Sequence, residues 1–310
     1  MLDVKRLRIL GEVAKHGSFS AAADALYLSQ SAVSQQIATL EREVGMNLLE
    51  RTREGTKLTD AGQVLVTHAE AAIARLGEAE RELAAIAGLE GGEVRIASFP
   101  SASATLLTRA LSAYVASHPK VKLTVADAEP EASLPRLRSG DLDVAVTFDY
   151  PQFPEPAERD VEHTLLLTES MHVALPVDHP HADLPAVPLA DLADEDWLSG
   201  GCPSSCGMIL QYACRDAGFE PRIGFESDDY HVLQGFIAAG LGVTLLPDLA
   251  LPTLRSDIVV KPTEPATPMR RVWAATRRTR SPATAAMLEC LVESGARFAE
   301  QAEATLEAVT

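Results

Sequence analysis

No stretch of this 310-residue sequence is apolar over a run long enough to cross a bilayer. The opening residues, Met1-Leu-Asp-Val-Lys-Arg, lack the apolar centre of a secretory leader. A cytoplasmic protein is therefore expected. Cysteine is scarce: Cys202, Cys206, Cys214 and Cys290 are the whole complement. That excludes a disulfide scaffold, and reduced thiols are the default in such a compartment. Catalytic signatures are missing too. There is no Gly-x-Ser-x-Gly, no His-Glu-x-x-His and no P-loop. Gly240-Leu-Gly242 lacks a third glycine and precedes a strand-like run, so it does not hold a dinucleotide. His179-Pro-His181 lies in a proline-rich turn and reads as a surface loop. No catalytic residue, metal or cofactor is assigned.

A basic surplus is also absent. The net charge is −17, which at first sight argues against nucleic acid. The distribution answers this. Residues 1–60 carry eight Lys/Arg and eight Asp/Glu, so the excess acid lies beyond them. Phosphate contact needs a local cationic patch, not a basic protein.

What is present within that neutral segment is Ser29–Glu43. Val33, Ile37, Leu40 and Val44 recur at helical spacing and form one apolar stripe. Ser31, Ser34, Gln35 and Ala38 fall on the opposite face, which is short, polar and nearly uncharged. Gln and Ser hydrogen-bond base edges in a major groove, and a small Ala permits close approach. Ser29 or Ser31 supplies an N-cap. An ordinary surface helix with a Ser/Gln face fits equally well in isolation, so the flanking chain decides. Leu7, Leu10, Val13 and Ala14 mark a first helix ending near Gly17. Ser18 caps a second through Phe19, Ala22, Ala25 and Leu26, and Tyr27-Leu-Ser makes a turn. This is a helix-turn-helix. Two short strand-like pieces around Glu54-Gly55 suggest a wing carrying Arg51, Arg53 and Lys57, although a solvated turn accounts for those cations as well.

Thr59-Asp60 opens a long helix in which Leu65, Ala69, Ala72, Leu76, Ala79, Leu83 and Ile86 follow heptad spacing. At about 1.5 Å per residue it is roughly 40 Å long. Such a seam implies a partner chain, or burial on this chain's own C-terminal part. Gly88, Gly91 and Gly92 read as a hinge.

From Glu93 strands alternate with helices. Strands are expected at Val94–Ser98, Val121–Ala126 and Leu142–Phe148, with helices at Ser101–Ser117 and Glu131–Ser139. This βαβαβ order gives a parallel sheet. A second unit follows. Strands are expected near Thr164–Thr168, His172–Pro176, Trp197–Leu198, Arg222–Glu226 and Val243–Leu246. Helices are expected at Ser204–Ala217 and Tyr230–Ala239. A late strand, Arg271–Thr276, and a final helix, Pro282–Glu307, return to the first unit. The expectation is two α/β subdomains with a cleft between them.

Several segments carry a resemblance. They are Gly17-Ser-Phe-Ser-Ala-Ala-Ala, Leu28-Ser-Gln-Ser-Ala-Val-Ser-Gln-Gln-Ile-Ala-Thr-Leu-Glu, Leu48-Leu-Glu-Arg and Leu58-Thr-Asp-Ala-Gly. Leu137-Arg-Ser-Gly-Asp-Leu-Asp-Val-Ala-Val and Ala239-Gly-Leu-Gly-Val-Thr-Leu-Leu-Pro follow in order. Together they resemble the LysR-type transcriptional regulators along the whole chain. The resemblance implies an α/β protein with an N-terminal winged helix-turn-helix (residues 1–60) and a dimerising linker helix and hinge (61–92). Beyond these it implies a periplasmic-binding-protein-like (type 2) effector domain (93–310). Its subdomain I covers about 93–163 and 268–310, and subdomain II about 164–267. It further implies a pseudo-palindromic duplex DNA site, a small-molecule effector, a homodimer and a tetramer.

Carried over by position, Gln30, Ser31, Ser34 and Gln35 read or approach the major groove, while Arg51, Arg53 and Lys57 touch the backbone. Leu49 stands where Phe is common, and Gln35 where Arg is frequent. The effector site maps to Ser98, Phe99, Pro100, Ser101, Ala102, Glu129, Thr147, Phe148, Gly201, Cys202, Ser204 and Ser227. Independently of the family, a ligand on a parallel sheet sits beyond the strand C-termini beside a helix N-terminus. Ser101 and Ser103 at such a position suit a carboxylate. Glu129 repels one, so an amine or amino acid suits both groups better. Cys202-Pro-Ser-Ser-Cys206 leaves open a thiol-sensing regulator, with packed thiols as the plain alternative. A cysteine-dependent enzyme pairing Cys202 with His231 is the remote option.

Overall fold

In the computed structural model, residues 2–52, 55–86, 92–154, 160–200 and 205–309 are described, with the side chains of 51–52, 78, 80–82, 84–86, 205–206 and 302–309 left aside. Two compact units are present, one formed by the first four helices and a hairpin, the other by the elements from residue 93 onward.

In the first unit each helix begins and ends where its local chemistry dictates. Helix α1 (Val4–His16) starts at Asp3, whose carboxylate accepts from the Lys5 amide, and ends at Gly17 in the left-handed region (φ 60°). Helix α2 (Phe19–Ala25) is capped by Ser18. Helix α3 (Gln30–Val44) is capped by Ser29, whose Oγ accepts from the Ala32 amide, and closes at Gly45 (φ 75°). Strands β1 (Leu49–Thr52) and β2 (Gly55–Leu58) pair antiparallel, with Leu49 opposite Leu58 and Arg51 opposite Thr56. The amide of Thr56 donates to the carbonyl of Gly17, which ties this wing to the end of α1. Glu41 on α3 accepts from the Leu48 amide and fixes the approach to the wing.

Helix α4 (Asp60–Ile86) follows. Its first turns pack on the three-helix core: Val66 and Ala69 are buried with Leu10, Val13 and Leu40. Leu76 and Leu83 further along are 49% and 65% exposed. The heptad seam is thus covered by this chain at its start and open at Leu76 and Leu83. The hinge glycines Gly88 and Gly91 lie outside the described residues.

The second unit is built on β3 (Glu93–Ser98), β4 (Lys122–Asp127), β5 (Val144–Asp149) and β6 (Val161–Pro176). Between β3 and β4 the chain makes a short turn of helix, α5 (Pro100–Ala102), a π turn (Ser103–Leu107) and α6 (Thr108–Ser117). The expected single helix Ser101–Ser117 therefore contains a π segment. Thr108 Oγ1 donates to the carbonyl of Ser103 five residues back, which holds the widened turn. Helix α7 (Pro130–Arg138) joins β4 to β5. Strand β5 is buried along its whole length, as expected of a strand covered on both faces.

The runs expected as two strands, Thr164–Thr168 and His172–Pro176, are one 16-residue strand, β6. Its start pairs with the late strand β13 (Met269–Arg277) and its end with β10 (Thr244–Pro247) and β11 (Ile258–Lys261). The remaining elements are β7 (Val187–Pro188), β8 (Asp196–Ser199), α8 (Ser205–Asp216), β9 (Arg222–Glu226), α9 (Tyr230–Ala238), β12 (Thr263–Glu264) and α10 (Pro282–Val309). Strands β4, β3 and β5 run parallel, and β13 is antiparallel to β5 and β6. Strands β8 and β9 pair in parallel, and Trp197 of β8 bridges to Val243.

Both sheet faces are covered. Ile96, Val144, Val146 and Val272 pack under Leu106, Ala110, Met287 and Leu291. Ala97, Ala145 and Ala275 pack under Leu134 and Leu137 of α7. A Cβ at Gly295 of α10 would meet the Leu166 carbonyl oxygen at 2.4 Å, so only glycine lets this helix lie against β6.

Candidate nucleic-acid interface and effector cleft

The apolar stripe of α3 faces inward: Val33, Ile37 and Leu40 are 0%, 3% and 0% exposed. Gln30, Ser31, Ser34, Gln35 and Ala38 are exposed on the other side. The Ser31 hydroxyl lies 3.0 Å from that of Ser29, at the helix start. Gln36, one position off the exposed face, accepts from Arg6 Nε at 3.1 Å, and Arg6 also pairs with Glu43. These contacts anchor the edge of α3 and leave its outward face exposed. Lys57 is exposed on β2. The backbone of Arg51 lies in β1, while its side chain and the whole of Arg53 lie outside the described residues.

In the second unit, several of the expected effector residues gather around a residue that was not anticipated. Arg270, at the head of β13, is fully buried. Its guanidinium sits 5.0 Å from the ring centroids of both Phe99 and Phe148, which themselves meet edge to face at 4.8 Å. It bonds Glu169 Oε1 at 2.7 Å and donates to Ser101 Oγ at 3.1 Å. Glu169 Oε2 accepts from the amide of Leu249. Ser101 Oγ thus accepts from Arg270, while its own O–H remains available as a donor. Burial pushes the Glu169 carboxyl up, and Arg270 opposes that shift. Beside it, His172 Nε2 lies 2.7 Å from Asp248, which also accepts from the Ser170 amide. Arg270 and Glu169 had a sequence signal. Arg270 shares the alternation of Val272 and Ala274, and Glu169 that of Leu167 and Met171, all inward-facing.

Ser98 and Ala102 are buried, and Pro100 opens the short helical turn. The buried Thr147 hydroxyl has no hydrogen-bond partner among the described residues. Glu129 precedes α7 and its carbonyl accepts from the amides of Ala132 and Ser133. Its carboxyl is pushed up to about 7, first by burial, then by the neighbouring charges of Asp228 and Glu131, with Arg270 acting in the opposite sense. Asp228 follows Ser227, whose amide donates to Ser199 and whose Oγ accepts from the Asp229 amide. Glu129 therefore lies within electrostatic reach of the turn that holds Ser227. Gly201, Cys202 and Ser204 lie outside the described residues, as does the side chain of Cys206. His231 sits exposed at the start of α9. Among the described residues no helix is long and apolar enough to cross a membrane.

Comparison with known proteins agrees with this architecture. Residues 4–63 match the family described as bacterial regulatory helix-turn-helix protein, lysR family, and residues 87–296 match the LysR substrate binding domain. The transcriptional dual regulator GltC of Bacillus subtilis is 30% identical over 252 residues, covering 80% of this chain and 81% of that protein. The DNA-binding transcriptional dual regulator OxyR of Escherichia coli K12 is 32% identical over 258 residues, 82% of each chain. A full-length OxyR variant from Pseudomonas aeruginosa shares the fold with a TM-score of 0.67, at 22% identity over 95% of both chains. The chain belongs to the LysR family of bacterial helix-turn-helix proteins and is a DNA-binding transcriptional regulator with an effector-binding domain.

Proposed function

We propose that α3 reads a duplex in the major groove through Gln30, Ser31, Ser34 and Gln35, while Arg51, Arg53 and Lys57 bind its phosphates. The exposed, uncharged polar face of α3 is the observation that carries this reading. The open stretch of α4 at Leu76 and Leu83 suits pairing with a second copy, which brings two reading helices to one pseudo-palindromic site. The resemblance extends this to a tetramer.

A small effector occupies the cleft lined by Ser98, Phe99, Thr147, Phe148, Glu129 and Ser227, and its binding resets the spacing of the reading helices. The one mobile-proton carboxyl in that lining, Glu129, favours an effector bearing a cationic nitrogen over a bare acid. The family relatives are regulators, and this chain is read as one with no catalytic role.

A duplex enriched from a random-sequence pool by the full chain provides the probe. Gln35→Ala should lower the preference for that duplex over a scrambled one by about 1–3 kcal/mol for each lost bidentate contact. Arg51→Ala should weaken both duplexes alike and reduce the salt slope by about 1. Identical effects of the two substitutions on both duplexes would refute the assignment of α3.

One observation favours a second reading, in which thiol oxidation is the signal. A relative from Escherichia coli O6:H1, 32% identical over 82% of this chain, is named a hydrogen peroxide-inducible genes activator. Cys214 is buried and its thiol is pushed up to about 12 by burial and then by Glu220. Burial, Glu293 and Glu289 raise Cys290 as well. Both are poor nucleophiles, so oxidation would act through Cys202 or Cys206. Under this reading peroxide shifts affinity for the enriched duplex, and Cys202→Ser or Cys206→Ser removes the shift. An intact response in both variants eliminates it.

A further inference from the structure

The turn into α3 holds a residue that the fold itself does not use. Tyr27 is 97% exposed, so folding buries almost none of its ring. It is also the one non-glycine residue at positive φ (55°) among those described. The position is the exit of α2. The Tyr27 amide donates to the Asp24 carbonyl at 3.2 Å, and the Leu28 amide to the Ala23 carbonyl at 2.9 Å. Helices that end this way ordinarily place glycine or asparagine in the left-handed region, because a Cβ is disfavoured there. A large aromatic at such a site opposes local stability and gains no burial in return. Its use is therefore in a complex.

The neighbouring surface identifies the partner. Tyr27 stands two residues before the Ser29 cap, and the exposed residues that follow, Gln30, Ser31, Ser34 and Gln35, form the reading face. The cations assigned to phosphates, Arg51, Arg53 and Lys57, belong to the wing, and residues 27–35 carry no Lys or Arg, so a phosphate contact beside the start of α3 needs a neutral donor. A phenol is such a donor, with an apolar ring that suits the sugar edge beside it.

We propose that Tyr27 is a DNA-backbone contact, its hydroxyl donating to a phosphate at the rim of the groove that α3 enters. The contact rests on α3 being the reading helix and fixes how that helix is seated. It carries no base information.

The test uses the full chain, the enriched duplex and a scrambled duplex of equal length. Tyr27→Phe, which removes only the hydroxyl, should weaken binding to both duplexes by a similar factor, about 3- to 10-fold. The slope of log affinity against log salt should not change, because no cation is lost. Tyr27→Gly should weaken both duplexes more than tenfold. It should also leave hydrogen-exchange protection of the Val33, Ile37 and Leu40 amides equal or higher, since glycine relieves the backbone. Wild-type affinity in both variants overturns the contact, even where Gln35→Ala shows that α3 reads bases. So does a loss in Tyr27→Gly that tracks lowered protection, with Tyr27→Phe unaffected. A loss in Tyr27→Phe on both duplexes supports the contact even if Gln35→Ala leaves base preference unchanged.

Discussion

Replacing Arg270 by Met is expected to destabilise the second unit by about 3–5 kcal/mol, the usual effect of leaving one member of a buried ion pair alone. Arg270 is fully buried, as is its partner Glu169. Methionine replaces the stem between Phe99 and Phe148 but offers nothing to the carboxylate. Glu169 must then bind a proton to remain buried. Its folded-state pKa is already raised by burial, and loss of Arg270 raises it further. A raised carboxyl contributes stability that is present below its unfolded pKa and lost as pH rises through the folded one. The Arg270→Met defect should accordingly grow with pH. Adding Glu169→Gln should recover a large part of it, because the orphaned charge is gone. Both tryptophans, Trp197 and Trp273, belong to the second unit, so urea unfolding followed by their fluorescence measures this unit directly. A loss below about 1 kcal/mol would mean that the pair is solvated and that Arg270 does not organise the cleft.

Glu129→Gln is expected to act in the opposite direction. The Glu129 carboxyl sits at about 7 in the folded chain against an ordinary value of 4.5. Below pH 4.5 it is protonated in both states and its burial is unopposed. As pH rises from 4.5 to about 7 the unfolded chain gives up this proton while burial and Asp228 make the folded chain keep it, so stability falls across that range and levels off above it. Glutamine cannot ionise. At pH 8 the variant should therefore be more stable by about 2–3 kcal/mol, and at pH 4 the gain should vanish. The same substitution should abolish any thermal shift produced by a cationic effector. For the wild-type chain such an effector should bind more tightly at pH 8 than at pH 6, because binding expels the proton. A gain that is independent of pH would show that the carboxyl is ordinary and that the cleft has no preference for cations.

Much of the first unit was legible in the sequence because its signals are local. Ser18, Ser29, Gly17 and Gly45 mark helix ends by side-chain and backbone chemistry, and the Val33, Ile37, Leu40 period gives the buried face directly. The long strand β6 was less legible. Glu169 and Ser170 interrupt its apolar run, and a charged residue there reads as a break. In the fold Glu169 points inward and is neutralised by Arg270, 101 residues away. No local pattern reveals a pairing of that span. Ser101 shows the same limit. A serine at a helix start has a local signal, but the arginine whose guanidinium donates to its hydroxyl lies 169 residues away. The heptad seam is a period without named occupants. Leu65 and Ala69 lie on this chain's own helices, while Leu76 and Leu83 stay exposed. Which neighbour covers each turn depends on tertiary packing that periodicity does not encode.

Two α3 helices, held by paired α4 helices, are expected to read one duplex. Sequencing the pool that the full chain enriches from random duplex DNA tests it most directly. The enriched duplexes should hold two copies of one short half-site in inverted order, with centres separated by whole helical turns of about 10 base pairs each. A pool indistinguishable from the input, or one holding only single, unpaired half-sites, would contradict it.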